Sequence, residues 1–177
     1  MRESISETVS GMTAGEVRAE ITGGSSNDLT RRRAIIGLSL VGLGIAAAAT
    51  LLQTGLVKHL PDPPLGNFDA DKVITSDEAY VFGIPDATVA LAGLALNVPI
   101  AAYGSRNRAE KRPLVPVFAA FKSATEAAAA AWYFYQMPAK QKTWCAYCIA
   151  AAAVYFGIFA LTLPEAATAA GFKTRGN

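Results

Sequence analysis

The sequence is short of the residues that carry most enzymatic chemistry. It has two cysteines and one histidine in 177 residues, and charged side chains make up only 17% of it. A tetrahedral zinc site needs four protein ligands, or three and a water, so Cys145, Cys148 and His59 do not suggest one and no metal is expected. A single imidazole without a partner defines no catalytic arrangement, and His59 reads as an interfacial polar residue. The net charge is +2 and the 16 Lys and Arg fall in several short clusters rather than on one face, so no nucleic-acid partner is expected.

Apolar residues are abundant instead, at 52% of the chain, a balance unusual for a soluble domain. Four runs stand out. Ala34–Leu56 and Cys145–Leu163 carry no charge, Ile84–Tyr103 carries only Asp86, and Val115–Met137 contains Lys122 and Glu126. Each is long enough to cross a hydrocarbon core of about 30 Å at about 1.5 Å per residue. The expected fold is an all-α membrane protein, a four-transmembrane-helix bundle with spans at 34–56, 84–103, 115–137 and 145–163 inside a domain 31–165. Residues 1–30, rich in Ser, Thr, Gly and Glu without apolar periodicity, read as a mobile cytoplasmic tail, and 166–177 as a second one.

Lys and Arg outside the spans set the orientation. Arg31, Arg32 and Arg33 precede the first span, Arg106, Arg108, Lys111 and Arg112 occupy the second loop, and Lys173 and Arg175 lie in the C-terminal tail. The first loop instead gathers Asp62, Asp69, Asp71, Asp77 and Glu78. Both termini are therefore expected in the cytoplasm, and the first and third loops outside. "LTRRRAIIGLSLVGLGIAAAAT" also has the features of a twin-arginine export signal, but its apolar run continues past Ala48 to Leu56, beyond the about 7–15 residues of a signal core, which favours a retained helix.

Lipid supplies no hydrophobic force between helices, so close packing needs small residues. Gly42, Gly44, Ala46, Ala48, Ala127 to Ala131 and Ala150 to Ala153 supply them, leaving Phe118, Phe121, Phe156 and Phe159 to face lipid or line a cavity. Trp132, Tyr133, Phe134, Tyr135 and Trp144 read as an interfacial aromatic belt. Lys122 and Glu126, one turn apart, are too costly to face lipid and should turn into the bundle, either as an internal ion pair or as a proton source. Asp86 is expected to cap the second span, and "HLPDPPLGNFDAD" to form a stiff outer loop.

Cys145 and Cys148 begin the last run in "WCAYCI". At a helix start the helix dipole favours a thiolate, and an i, i+3 spacing brings both sulfurs to one face. A redox pair on the oxidising side of the membrane and two small packing residues both remain open at this point.

"ADKVITSDEAYVFGIPDA" (70–87) and "WCAYCI" (144–149), in this order among four spans, resemble the vitamin K epoxide reductase family, including its bacterial quinone-linked disulfide-forming members. The resemblance covers roughly residues 31–165. It implies a bundle in the bacterial inner (plasma) membrane holding a quinone of ubiquinone or menaquinone type. Electrons would pass from a thioredoxin-like partner on the outer side through Cys145, which meets the incoming thiol, and Cys148, which faces the quinone. Glu126, Lys122 and, within the VFGIP element, Phe82 are the candidate quinone contacts. Two departures stand out. The family's second cysteine pair, in the outer loop, is missing and Ala70 stands at one of its positions, while Ala152 stands where many members carry a tyrosine. Two readings follow: a membrane thiol-disulfide oxidoreductase that takes electrons directly from its partner, and a non-catalytic structural or accessory subunit of a larger membrane complex.

Overall fold

The computed structural model describes residues 26–64 and 66–172, together with residues 13, 15, 16, 18 and 19. Most of the expected N-terminal tail, and residues 173–177 with Lys173 and Arg175, lie outside the described residues. Within that tail Thr13 and Glu16 form a capping box, the Thr13 N–H donating to Glu16 Oε2 at 2.7 Å and the Glu16 N–H to Thr13 Oγ1 at 3.3 Å.

The first long helix, α1, spans Asn27–Gln53, with Ser26 Oγ accepting from the Leu29 N–H at 3.2 Å as its cap. It thus starts before the apolar run, because a capping serine stands upstream of the arginines. A loop leads to a short helix α2 (Ala70–Ile74), a 3-10 turn (Asp77–Ala79) and a two-residue hairpin, β1 (Tyr80–Val81) against β2 (Ile84–Pro85). Helix α3 (Asp86–Ala102), a short α4 (Arg108–Lys111), α5 (Leu114–Gln136), a π turn (Met137–Gln141) and α6 (Ala146–Ala169) complete the chain. Helix α1 packs on α3 and α6, and α5 on α6, while α3 and α5 meet only lightly.

Three helical stretches, Asn27–Gln53, Leu114–Gln141 and Ala146–Ala169, are long and apolar enough to cross a membrane. At 17 residues α3 is shorter, about 25 Å end to end, and the expected 84–103 span loses its first residues to the hairpin. The helices carry an apolar exterior rather than a polar one: Leu40, Val41, Phe118, Phe121, Trp132 and Phe156 all point outward. That surface suits hydrocarbon.

Glycine sets the closest approaches. A Cβ on Gly42 would lie 2.9 Å from a Leu94 methyl and 3.1 Å from one of Val154, so α1, α3 and α6 converge there only because the side chain is absent. Asp86 does not cap α3. Pro85 occupies that position without a side-chain bond, and Gln53 at the end of α1 takes over: its Oε1 accepts from the Ala87 N–H at 3.3 Å, and its Nε2 donates to Asp86 Oδ1 at 2.7 Å and to Ile74 O at 3.0 Å. One amide so ties α1 to α2 and α3.

At the end of the bundle remote from the hairpin, three charges are buried together. Arg108 makes a two-pronged contact with Glu165, Nε to Oε1 and the second nitrogen to Oε2, both 2.7 Å. Arg32 Nε lies 3.4 Å from the same carboxylate, and its terminal nitrogens donate to the carbonyls of Gly104 and Ser105 at 3.1 and 2.8 Å. Arg32 of the triple arginine is thus a bundle residue.

In the first loop Asp71 accepts from the Leu60 N–H at 2.9 Å and contacts His59 Nδ1 at 2.6 Å. The bond to Asp71, and then its charge, raise the His59 pKa above 6.5. Burial pushes the Asp71 carboxyl up, but the bonds from His59 and Leu60 outweigh it and hold the carboxyl below 3.8.

Two outcomes are expected. Glu165→Ala leaves two arginines buried without a counter-charge and should destabilise the bundle by about 3–5 kcal/mol in detergent unfolding, against under about 1 kcal/mol for Arg31→Ala at the half-exposed Asp28 pair. The His59 contribution is complete below its ordinary pKa and lost as pH rises through the raised one, and that of Asp71 is lost as pH falls through its lowered value. Tryptic cleavage of the loop at Lys58 or Lys72 should therefore accelerate in wild type relative to His59→Ala as pH rises past that upper limit.

Candidate functional site

Cys145 and Cys148 are joined as a disulfide, with Cα atoms 5.2 Å apart. Cys145 is the N-cap of α6, in extended conformation, and its sulfur accepts from the Cys148 N–H at 3.1 Å. Once reduced, a Cys145 thiolate would receive that same N–H and the positive end of the α6 dipole, the two influences that lower a thiol pKa. The i, i+3 spacing thus brings the two sulfurs within bonding reach at the start of α6.

The two sulfurs face different surroundings. Cys145 is fully buried in a cluster with Leu52, Leu60, Ala70, Val73, Ile74 and Met137. The first loop seals it: the Trp144 N–H donates to Asn67 O at 3.0 Å, the Asp69 N–H to Trp144 O at 2.9 Å, Thr143 Oγ1 to Asn67 O at 3.1 Å and the Tyr147 hydroxyl to Pro61 O at 3.2 Å. Asp62 accepts from the Ala70 N–H and holds the start of α2 in place. Cys148 is only partly buried and lines a cavity of about 400 Å³ between α1, α3, α5 and α6.

The cavity wall is apolar apart from a few groups. Gly42, Ala46, Ala49, Ala90, Ala130 and Ala152 make room on the helices; Asp86, Glu126, Tyr133, Gln136 and Tyr155 are polar members from the long helices, and Ser76, Glu78, Gln141 and Tyr147 add others toward the loop end. Its size falls within the about 300–1,000 Å³ typical of small-molecule sites. Glu126 is held from behind. Lys122 Nζ donates to Glu126 Oε1 at 2.5 Å, to Gly93 O at 2.8 Å and to Asn97 Oδ1 at 2.8 Å, and Asn97 Nδ2 reaches Glu126 Oε2 at 3.4 Å. A Cβ on Gly93 would come within 2.5 Å of Glu126 Oε1, so the α3 glycine is what admits the carboxylate.

Of the residues expected at the site, Cys148 and Glu126 meet in one cavity, Lys122 stands behind Glu126, and Cys145 is sealed on the loop side. Phe82 does not reach it. Phe82 and Gly83 form the turn of the hairpin with φ of 52° and 78°, the pairing of a type I′ turn, and Phe82 is 99% exposed at its tip, whereas its neighbour Val81 lines the cavity. A short sequence match fixes the presence of the hairpin but not which side of it each residue takes. Gln53 and Asn97 went unnoticed in the sequence. An Asn inside an otherwise apolar run is the signal that points to the second.

No curated protein gives a significant match to the chain. A family model described as vitamin K epoxide reductase family matches residues 33–163, which run from within α1 to within α6 and include the cysteine pair. With that match over most of its length, and a disulfide at the start of its last helix opening on a cavity within a helical bundle, the chain belongs to the vitamin K epoxide reductase family, a family of membrane oxidoreductases.

Proposed function

We propose that this protein is a membrane thiol-disulfide oxidoreductase that passes electrons from an outer thioredoxin-like partner through Cys145 and Cys148 to a quinone. The observation that carries the reading is that Cys148, one half of the disulfide, forms part of the wall of a cavity large and apolar enough for a quinone ring. Alanines and glycine around it leave room for a flat ring, while Asp86, Glu126, Tyr133 and Tyr155 offer polar contacts to ring oxygens. A bound quinone supplies an acceptor for two electrons and two protons. The residues do the rest: the Cys148 N–H and the α6 dipole stabilise a Cys145 thiolate, Cys148 presents its sulfur to the cavity, and the apolar wall keeps water from it. In this reading α3 is a fourth membrane crossing, the disulfide lies at the outer face of a bacterial plasma membrane, and both termini are cytoplasmic.

A second reading, an accessory subunit of a larger membrane complex, is favoured by one specific observation. Cys145 is entirely covered by the loop, and the residue packed into the same cluster is Ala70, which can relay no electrons. For direct exchange, residues 67–69 must part from Trp144.

Cys148→Ala should trap a mixed disulfide between Cys145 and the partner, and Cys145→Ala none, as seen on a non-reducing gel. Reduced wild type mixed with a soluble quinone, then acid-quenched and unfolded before alkylation, should lose its thiols more than about tenfold faster than Cys148→Ala. A wild type that stays reduced under excess quinone, with both variants still assembling into a larger complex, establishes the accessory reading instead. For orientation, cysteine placed at the exposed Gly66 should react with an impermeant thiol reagent on intact cells, and cysteine at Lys111 should not.

A further inference from the structure

The inner half of the bundle, away from the disulfide, contains a series of buried polar side chains that also tie its helices together. They begin at the cavity with Glu126, joined to Lys122 and Asn97. Asn97 also lines a second, small cavity of about 10 Å³, enough for about one water molecule. Thr162, Glu165 and Arg108 line that same cavity. Thr162 shares a 2.9 Å bond with Ser123 on α5, and Glu165 carries Arg108 and Arg32 at the far end. Glu126, Asn97, the small cavity and Glu165 thus follow one another from the large cavity to the end of the bundle where Arg32 bonds the Gly104 and Ser105 carbonyls. Such a series of acids, amides and hydroxyls around a water-sized space is the kind of arrangement along which protons move inside membranes.

We propose that this column conducts protons from the end of the bundle opposite the disulfide to Glu126, and so to the acceptor in the cavity. The inference rests on the oxidoreductase reading. In each turnover the Cys145 and Cys148 thiols give up two electrons and form their S–S bond, releasing two protons at the disulfide end. The quinone takes up those two electrons together with two protons delivered from the opposite end through Glu126, and leaves as quinol. Electrons and protons then reach the cavity from opposite ends, so thiol oxidation separates charge across the membrane rather than consuming and releasing protons on one side. Asn97 and Thr162 act as positioning residues, the first fixing the Glu126 and Lys122 pair and the second lining the water-sized space.

The test is the protonation of Glu126 itself, followed by infrared spectroscopy on the oxidised full-length protein in sealed vesicles without quinone, with the Glu126→Gln spectrum identifying its band. The other ionisable groups on the same cavity are Asp86 and Glu78 from the loop and α3 side, Tyr133 from α5, and Tyr147 and Tyr155 from α6, with Lys122 behind, and their bands survive in Glu126→Gln. A pH step imposed only on the side opposite the disulfide should protonate Glu126 promptly, and the response should slow by about tenfold or more in Asn97→Leu and in Thr162→Val. Thr162→Val keeps shape and removes only the hydroxyl, so it decides the matter if Asn97→Leu does not fold. A band that follows the pH of the disulfide side, or that ignores both substitutions, overturns the proposal. Because no quinone is present, this result stands apart from whether the chain oxidises thiols. Where it does, vesicles holding the far end inside should turn alkaline during turnover in wild type and about tenfold more slowly in Thr162→Val.

Discussion

Glu165 meets Arg108 through both oxygens and Arg32 through one, with all three side chains almost wholly out of solvent. A charge in a low-dielectric interior is tolerable only beside its counter-charge, and that requirement fixes geometry as well as charge. Arg32 belongs to α1, Arg108 to the connection after α3, and Glu165 to α6, so their meeting sets how deeply each of these segments is drawn into the bundle. The Lys122 and Glu126 pair repeats the constraint halfway along, anchoring α5 to α3 through the Gly93 carbonyl and Asn97, where the two helices otherwise touch lightly. The large cavity can exist because these ionic ties hold the helices around it without filling it.

The redox pair is arranged under opposing demands. A thiolate is favoured at the start of α6 by an N–H and by the dipole, but Cys145 is at the same time buried among Leu52, Leu60 and Ile74. Burial in apolar surroundings works against the charged form and against access, while the helix terminus works for it. The cysteine that lines the cavity is Cys148, so the pair borders the bundle interior on one side and is covered by the loop on the other.

Much of the architecture was legible in the sequence because the apolar runs obey a strong rule of length and charge, and because intramembrane Lys122 and Glu126 had nowhere to go but inward. The helix-start role of the cysteines followed from their place at the edge of such a run. What escaped was set by tertiary contact. Asp86 sits where a capping residue should, yet Gln53 from another helix makes the bond to the Ala87 N–H. Phe82 belongs to the matched hairpin, yet the handedness of a two-residue turn directs it away from the cavity. Arg32 and Arg108 counted as loop charges when orientation was read, although Glu165, far along the chain, neutralises and buries them.

The covering of Cys145 bears on how the redox state of this protein is counted at the bench. With the loop bridged to Trp144, a reagent added to folded, reduced protein meets the Cys148 sulfur through the cavity, while the other thiol is shielded. A native alkylation would then register one label per chain from a protein that holds two thiols, and the difference between native and unfolded stoichiometry becomes a direct gauge of how often the loop lifts.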